Sequence, residues 1–312
     1  MPTPHITIIT PCYNENVITI KFLECLENCI AGLPFSFTVL VVNDCSTDNT
    51  AQLLARFSFQ SPRLKLEVIN LKFNVGHQAA IYQGFLYAHT MDCNYFIVMD
   101  SDGEDAPATI PQLLEHLDTD IVNVVRSERR ESPLFKVFYW LYKFVFRLIT
   151  RKRMNFGNFC LINRSVMETA IYSTFSHFAA FLSKQKAPTK YIIAKREERL
   201  GGKSKMGFRK LFIHAFMSFV EYGEDMLLVF FKGFIFIILL LVFSAGYVLY
   251  QKLVTHAAIP GWASIAIIGM VNIAILCMGF FVLGLLLIHL NNQNPNTKMP
   301  IYEIGTQDAD EK

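Results

Sequence analysis

Tyr95-Phe96-Ile97-Val98-Met99-Asp100-Ser101-Asp102-Gly103-Glu104-Asp105 is the stretch that decides how this chain reads. An apolar run of strand length passes directly into two carboxylates one residue apart, so the acids sit on a tight turn at the carboxyl end of a buried strand. The pattern repeats outward from there. Ile6 to Thr10 is a β-branched strand ending at Pro11 and the loop Cys12-Tyr13-Asn14-Glu15-Asn16. Phe37 to Val42 is closed by Asn43-Asp44-Cys45-Ser46-Thr47-Asp48, Leu64 to Asn70 precedes Asn74-Val75-Gly76, and Ile121 to Val125 precedes Arg126. Helical stretches lie between them: one with apolar residues at Ile18, Phe22, Cys25, Leu26 and Cys29, one from about Thr50 to Phe57, and one from Gly76 through Ala88. Strands alternating with helices predict an α/β fold with a mostly parallel sheet and a ligand crevice at the carboxyl ends of its strands. The polar loops fall at those ends.

With 312 residues, 52% of them apolar, and a mean hydropathy of +0.32, the chain is too apolar for an ordinary soluble enzyme and too charged for a bundle of spans. Gly233 to Tyr250 and Leu253 to Asn291 contain no Lys, Arg, Asp or Glu. About 20 helical residues cross a bilayer, and Pro260-Gly261 breaks the helix in a short turn, so a two-helix transmembrane hairpin is expected, with Tyr250 and Trp262 at its interfaces. Ten Lys or Arg residues lie between Lys184 and Lys210 against Glu197 and Glu198, whereas the turn between the runs has Lys252. The positive-inside rule then makes the large domain cytoplasmic, and two spans return the tail to the same side. No signal peptide is read, because the first apolar run lacks a basic leader. The seven cysteines show no CxxC pair and no zinc spacing, which argues for reduced thiols. Ser132 to Arg153 is rich in aromatics and carries Lys136, Lys143 and Arg147 near one face, the pattern of a helix lying in the headgroup plane.

Asp100 and Asp102 suit a shared hard cation, because Mg²⁺ or Mn²⁺ keeps waters and takes phosphate oxygens to complete its shell. The bland alternative is a solvated acidic turn or a helix cap. Four ordered segments go further: Pro11-Cys12-Tyr13-Asn14-Glu15, Val41-Val42-Asn43-Asp44-Cys45-Ser46-Thr47-Asp48, Asn74-Val75-Gly76-His77-Gln78-Ala79-Ala80 and Asp100-Ser101-Asp102 resemble glycosyltransferase family 2. The later segments and paired apolar runs are similar to its polyprenyl-phosphate branch, represented by dolichyl-phosphate mannose synthases and bactoprenol glucosyltransferases. The resemblance covers the chain nearly to Leu290.

That resemblance implies a GT-A-type domain that moves a sugar, with inversion, from a nucleotide diphosphate sugar to a membrane lipid acceptor such as polyprenyl phosphate. A hydroxyl acceptor on a glycolipid or cell-envelope glycan is the alternative, and a non-catalytic membrane scaffold on the same fold is a third reading. Pro11, Tyr13, Asn14, Glu15, Asp44, Asp100, Ser101 and Asp102 would line the nucleotide-sugar pocket, with Mg²⁺ or Mn²⁺ on Asp100 and Asp102. Arg126 and Arg129 match the family's RxxR element, and their guanidinium forks suit a leaving diphosphate. Glu198-Arg199-Leu200-Gly201-Gly202-Lys203-Ser204-Lys205 resembles an element before the membrane that assigns Arg199, Lys203 and Lys205 to the acceptor phosphate. A hydroxyl acceptor needs a base, and Glu104 and Asp105 are the nearest carboxylates.

Three positions depart from the branch. Gly103-Glu104-Asp105-Ala106-Pro107 stands where those relatives usually have Leu-Gln-Asp-Pro-Pro, Asn155 where they commonly have Asp, and the second apolar run lacks their closing Gly-Glu-Tyr. The expected organisation is a catalytic domain over 1–132, an acceptor-side and interface segment over 133–225, two spans over 226–290 and a cytoplasmic tail over 291–312. The expected location is the inner (plasma) membrane. A UDP-sugar, a lipid acceptor and the bilayer are the expected partners, without nucleic acid; self-association into a homo-oligomer stays open.

Overall fold

A computed structural model describes residues 4–126, 133–152, 155–194, 197, 200–201, 216–255, 261–292 and 299–305. Its first strands, β1 (His5–Cys12), β2 (Ser36–Asn43), β3 (Leu64–Leu71) and β4 (Tyr95–Val98), alternate with the helices α1 (Asn16–Ile30), α2 (Thr50–Arg56) and α3 (His77–Ala88). β1 and β2 are buried from their second residue onward, because helices cover both faces and leave no solvent side to carry polar residues. Side chains alternate accordingly. Ile6, Ile8, Val39 and Val41 pack with Phe22, Leu23, Leu26 and Ile30 of α1, while Ile9, Leu40 and Val42 pack on the opposite face with Ala80, Ile81 and Phe85 of α3. Gly84 lets α3 settle onto the sheet, since a β-carbon there would lie 2.6 Å from Ile9 Cγ2.

After a short 3₁₀ turn (Pro107–Thr109) come α4 (Ile110–Leu114), β5 (Ile121–Arg126), α5 (Pro133–Thr150), β6 (Phe156–Asn163), α6 (Arg164–Ser173), α7 (Phe178–Lys184) and β7 (Thr189–Ala194). The helices α8 (Gly223–Tyr250) and α9 (Trp262–Asn292) precede a last strand, β8 (Tyr302–Ile304). The eight strands among the described residues form one sheet in the order β7-β5-β6-β4-β1-β2-β3-β8. The β1–β2, β1–β4, β2–β3 and β5–β7 pairs are parallel, but β6 runs antiparallel to β4 and β5, and β8 antiparallel to β3. The expected sheet is therefore a mixed one.

Two compact units are present: Met1–Trp140 with Arg153–Glu221 and Thr297–Lys312, and Leu141–Lys152 with Tyr222–Asn296. The first holds the sheet. In the second, α8 and α9 pack together through Phe230–Phe280 and Phe231–Phe281 ring pairs, 5.8 and 5.1 Å between centroids. A β-carbon on Gly284 would lie 2.1 Å from Leu227 Cδ2, the close approach that small residues allow between apolar helices. Gly223–Tyr250 and Ile267–Leu287 are long and apolar enough to cross a membrane.

Candidate functional site

Strand β1 delivers its loop to the crevice with a left-handed residue: Asn14 has φ 52°, a conformation that Asn tolerates better than most non-glycine residues. Its backbone N–H donates to Ser46 Oγ at 2.9 Å, and its Oδ1 accepts the Thr47 N–H at 2.7 Å. The β1 and β2 loops are thus tied by a residue belonging to neither strand. Asn43 fixes the β2 loop from below, with Nδ2 donating to Asn70 Oδ1 at 2.7 Å and Oδ1 accepting the Ser46 N–H at 3.2 Å. Tyr13 stands at the rim, 40% exposed.

Asp44 is buried, and each carboxylate oxygen accepts a backbone N–H, from Val75 at 2.8 Å and Gly76 at 2.9 Å. Burial pushes its pKa up, and those two N–H groups pull it partly back. Beside its expected place in the nucleotide-sugar pocket, Asp44 has a structural role, in which it holds the turn that opens α3. Gly76, at φ 85°, caps that helix, and the next residue, His77, places Nε2 3.2 Å from Asp100 Oδ1. Asn158 Nδ2 lies 2.9 Å from the same His77 nitrogen. Burial opposes protonation of His77, yet the carboxylates of Asp100, Asp102 and Asp105 outweigh it and raise the pKa. His77 and Asn158 had no role assigned from sequence. The available signal was the place of His77 directly after Gly76, at the carboxyl edge of the sheet.

The acidic turn is built against both loops. Ser101 is buried, with Oγ 2.9 Å from Glu15 Oε2 and 3.0 Å from the Pro11 carbonyl. Pro11, Glu15 and Ser101 therefore meet at one point. The Asp100 N–H donates to Asp105 Oδ2 at 3.1 Å, and Asp102 Oδ1 accepts the Glu104 N–H at 2.9 Å. Asp105, read as one possible base, is buried in service of Asp100's backbone; Glu104 is half-buried. Among the described residues no group of three or more His, Cys, Asp or Glu side chains converges as a closed cage. Two hard carboxylates on one turn fit Mg²⁺ or Mn²⁺, whose other positions go to waters and diphosphate oxygens. The Arg126 side chain, Arg129, Arg199, Lys203 and Lys205 lie outside the described residues.

On α5, Trp140, Phe144 and Leu148 are 65%, 55% and 70% exposed, a stripe at helical i, i+4, i+8 spacing.

A sequence model of glycosyl transferase family 2 matches residues 7–182. The chain is 26% identical over 300 residues to the uncharacterized glycosyltransferase YkcC of Bacillus subtilis (strain 168), covering 89% of this chain and 87% of that one. It is 26% identical over 220 residues to an undecaprenyl-phosphate 4-deoxy-4-formamido-L-arabinose transferase of Salmonella choleraesuis (strain SC-B67), covering 67% and 65% respectively. A solved structure of glucosyl-3-phosphoglycerate synthase from Mycobacterium tuberculosis, in complex with Mn²⁺, uridine diphosphate and glucosyl-3-phosphoglycerate, has a TM-score of 0.51 at 12% identity, over 71% of this chain and 80% of that one. That last likeness is one of fold.

Proposed function

Because the chain belongs to glycosyl transferase family 2 and is a glycosyltransferase, we propose that its crevice takes a sugar from a nucleotide diphosphate sugar, UDP-linked first of all, and passes it to an acceptor at a membrane face. The observation that carries this reading is the junction of the Pro11–Glu15 loop with the Asp100–Asp105 turn through Ser101. Two segments far apart in sequence make one polar crevice at the carboxyl ends of β1 and β4, where open α/β sheets bind ligands.

Asp100 and Asp102 would hold Mg²⁺ or Mn²⁺, a reading supported by the Mn²⁺ bound in the solved glucosyl-3-phosphoglycerate synthase. When bound, the cation offsets the charge that develops on the departing nucleoside diphosphate. Tyr13, Asn14, Glu15 and Asp44 line and shape the nucleotide side, with Ser101 locking the two loops together. Arg126 is the last residue of β5 and Arg129 stands three positions on in the sequence; we assign both to the diphosphate as bidentate phosphate partners.

Two acceptor classes remain, each with an observation behind it. Glu104, half-buried beside Asp102, suits a hydroxyl acceptor on a glycolipid or envelope glycan, whose proton it would take. The name of the Salmonella relative favours polyprenyl phosphate, which is ionised near neutral pH and needs no base; Arg199, Lys203 and Lys205 would then face its phosphate. In either case α8 and α9 anchor the chain in the plasma membrane, and Trp140, Phe144 and Leu148 suit the headgroup layer. The test is to incubate membranes containing the protein with a panel of radiolabelled nucleotide sugars, with Mn²⁺ or with EDTA, and extract the lipids. Mild-acid-labile glycosylated lipid identifies the phosphate acceptor, and acid-stable glycolipid or glycan identifies the hydroxyl. Absence of metal-dependent transfer or hydrolysis from every donor would return the chain to a scaffold.

A further inference from the structure

The turn bearing Asp102 is held by a segment far along the chain. Leu200 donates its N–H to the Asp102 carbonyl at 3.1 Å, and Glu197 donates its own to the Glu104 carbonyl at 3.3 Å. Between these bonds the Leu200 side chain lies directly on Gly103, where a β-carbon would sit 2.4 Å from Leu200 Cγ and 2.7 Å from Cδ1. Gly103 has φ +82°, so both the backbone and the neighbour demand glycine there. On its other side Leu200 packs against the core cluster that contains Phe22, Leu23 and Met99, and the adjoining Gly201 is in contact range of Ile18 on α1, 3.4 Å from a built β-carbon to Cγ1. Leu200 is therefore seated on the core and bears on the acidic turn.

The position of the turn matters for chemistry because Asp102 is nearly buried, 7% exposed, and Oδ1 already accepts the Glu104 N–H of the same turn. A side chain with so little freedom points where its backbone points. We propose that Leu200 is a positioning residue for Asp102, setting the Asp102-Gly103-Glu104 backbone and through it the aim of the carboxylate at a divalent cation. The inference rests on the reading of Asp102 as a cation ligand. It makes a partly buried aliphatic residue from the segment after β7 part of donor-site geometry, whereas a residue that only fills space would contribute to stability alone.

The experiment uses the full chain in detergent and four variants: Leu200→Ala, Leu200→Val, Leu200→Met and, as reference, Asp102→Asn. Mn²⁺ affinity is measured by the electron paramagnetic resonance of free Mn²⁺ in the presence of whichever of UDP and GDP the wild type binds. Affinity for that nucleotide in EDTA, and the melting temperature, are measured on the same preparations. Leu200→Ala is expected to weaken Mn²⁺ binding about ten-fold, the scale seen when an outer partner of a ligand is removed, with nucleotide affinity in EDTA unchanged. Leu200→Val should fall between, and Leu200→Met, which restores length, should regain most of the affinity. Wild-type Mn²⁺ affinity in both Leu200→Ala and Leu200→Val overturns the proposal, as does an equal loss of nucleotide binding in EDTA. If Leu200→Ala does not fold, Leu200→Val decides. Asp102→Asn separates the two layers: wild-type Mn²⁺ affinity in it removes the cation reading together with Leu200's role, whereas loss in Asp102→Asn alone removes only the role of Leu200.

Discussion

Asp102 and Asp44 are both nearly buried acids at strand ends, 7% and 3% exposed, but their partners give them different roles. Asp102→Asn keeps shape and volume while removing one charge from the proposed cation site, so kcat should fall about 10²–10³-fold, with an unchanged circular dichroism spectrum and melting temperature. Retained turnover in the folded variant would remove Asp102 from the site. Asp44→Ala is different, because it strips acceptors from the Val75 and Gly76 N–H groups, at about 1–3 kcal/mol for an unsatisfied buried group. Urea unfolding should register that loss, and the donor KM should rise as the start of α3 shifts His77 against Asp100. Asp44→Asn retains one acceptor oxygen and should lose less; equal stability of the wild type and Asp44→Ala would show the turn to be held by other means. The acids themselves were legible in the sequence, since each follows an apolar run. The bonds of Asp44 were not, because its partners at Val75 and Gly76 come from the loop after the next strand. The tie between Leu200 and Gly103 was hidden for the same reason: spacing along the chain carries no information about a contact this distant.

Among the elements, the strands whose residues are buried on both faces were readable as apolar runs, and β1 to β5 stand within a residue or two of their expected bounds. β8 was not readable. Tyr302-Glu303-Ile304 is too short for a periodicity, and only pairing with β3 makes it a strand. Yet it is firmly held: Gln83, 5% exposed, accepts the Ile301 N–H at 3.0 Å and donates to the Met299 carbonyl at 3.3 Å. Lys72 donates its N–H to the Ile301 carbonyl at 3.0 Å, and Gly305 to the Val68 carbonyl at 2.8 Å. Tyr302 meets the Tyr87 ring edge-on at 5.4 Å between centroids. The strand covers the β3 edge, which would otherwise present unpaired backbone groups to other chains. Deleting residues 297–312 should therefore cost about 2–6 kcal/mol, taking each of these bonds at about 0.5–1.5 kcal/mol net, and should promote aggregation measurable by light scattering. The same deletion should raise the donor KM, because Glu303 lies opposite Asn70, whose side chain holds Asn43 and so the β2 loop. An unchanged melting temperature and KM would make β8 an incidental pairing. Gln83→Leu, which removes two of the bonds and leaves the tail in place, should give a smaller loss in the same direction.

For the whole molecule, connectivity constrains membrane topology more tightly than hydropathy does. The chain leaves the sheet-bearing unit at Tyr222, runs through α8 and α9, and re-enters that unit at Thr297, where β8 joins the same sheet as β1 to β7. A segment that both departs from and returns to one folded unit crosses a bilayer an even number of times, so α8 and α9 cross together or lie on one side together. Their length and apolar character favour crossing, and the cations between Lys184 and Lys210 favour a cytoplasmic sheet. Two labelling sites test this directly. Leu253 lies in the π-helical turn that follows α8 and is 67% exposed, and the Glu303 side chain on β8 is 75% exposed. In a background freed of the seven native cysteines, Leu253→Cys should react with a membrane-impermeant maleimide in right-side-out vesicles, and Glu303→Cys only in inverted ones. Reaction of both from the same face would mean that the hairpin does not cross. An inverted result, with Glu303→Cys labelled from outside, would place the donor crevice away from the cytoplasmic pool of nucleotide sugars, and the proposed reaction would lose its substrate.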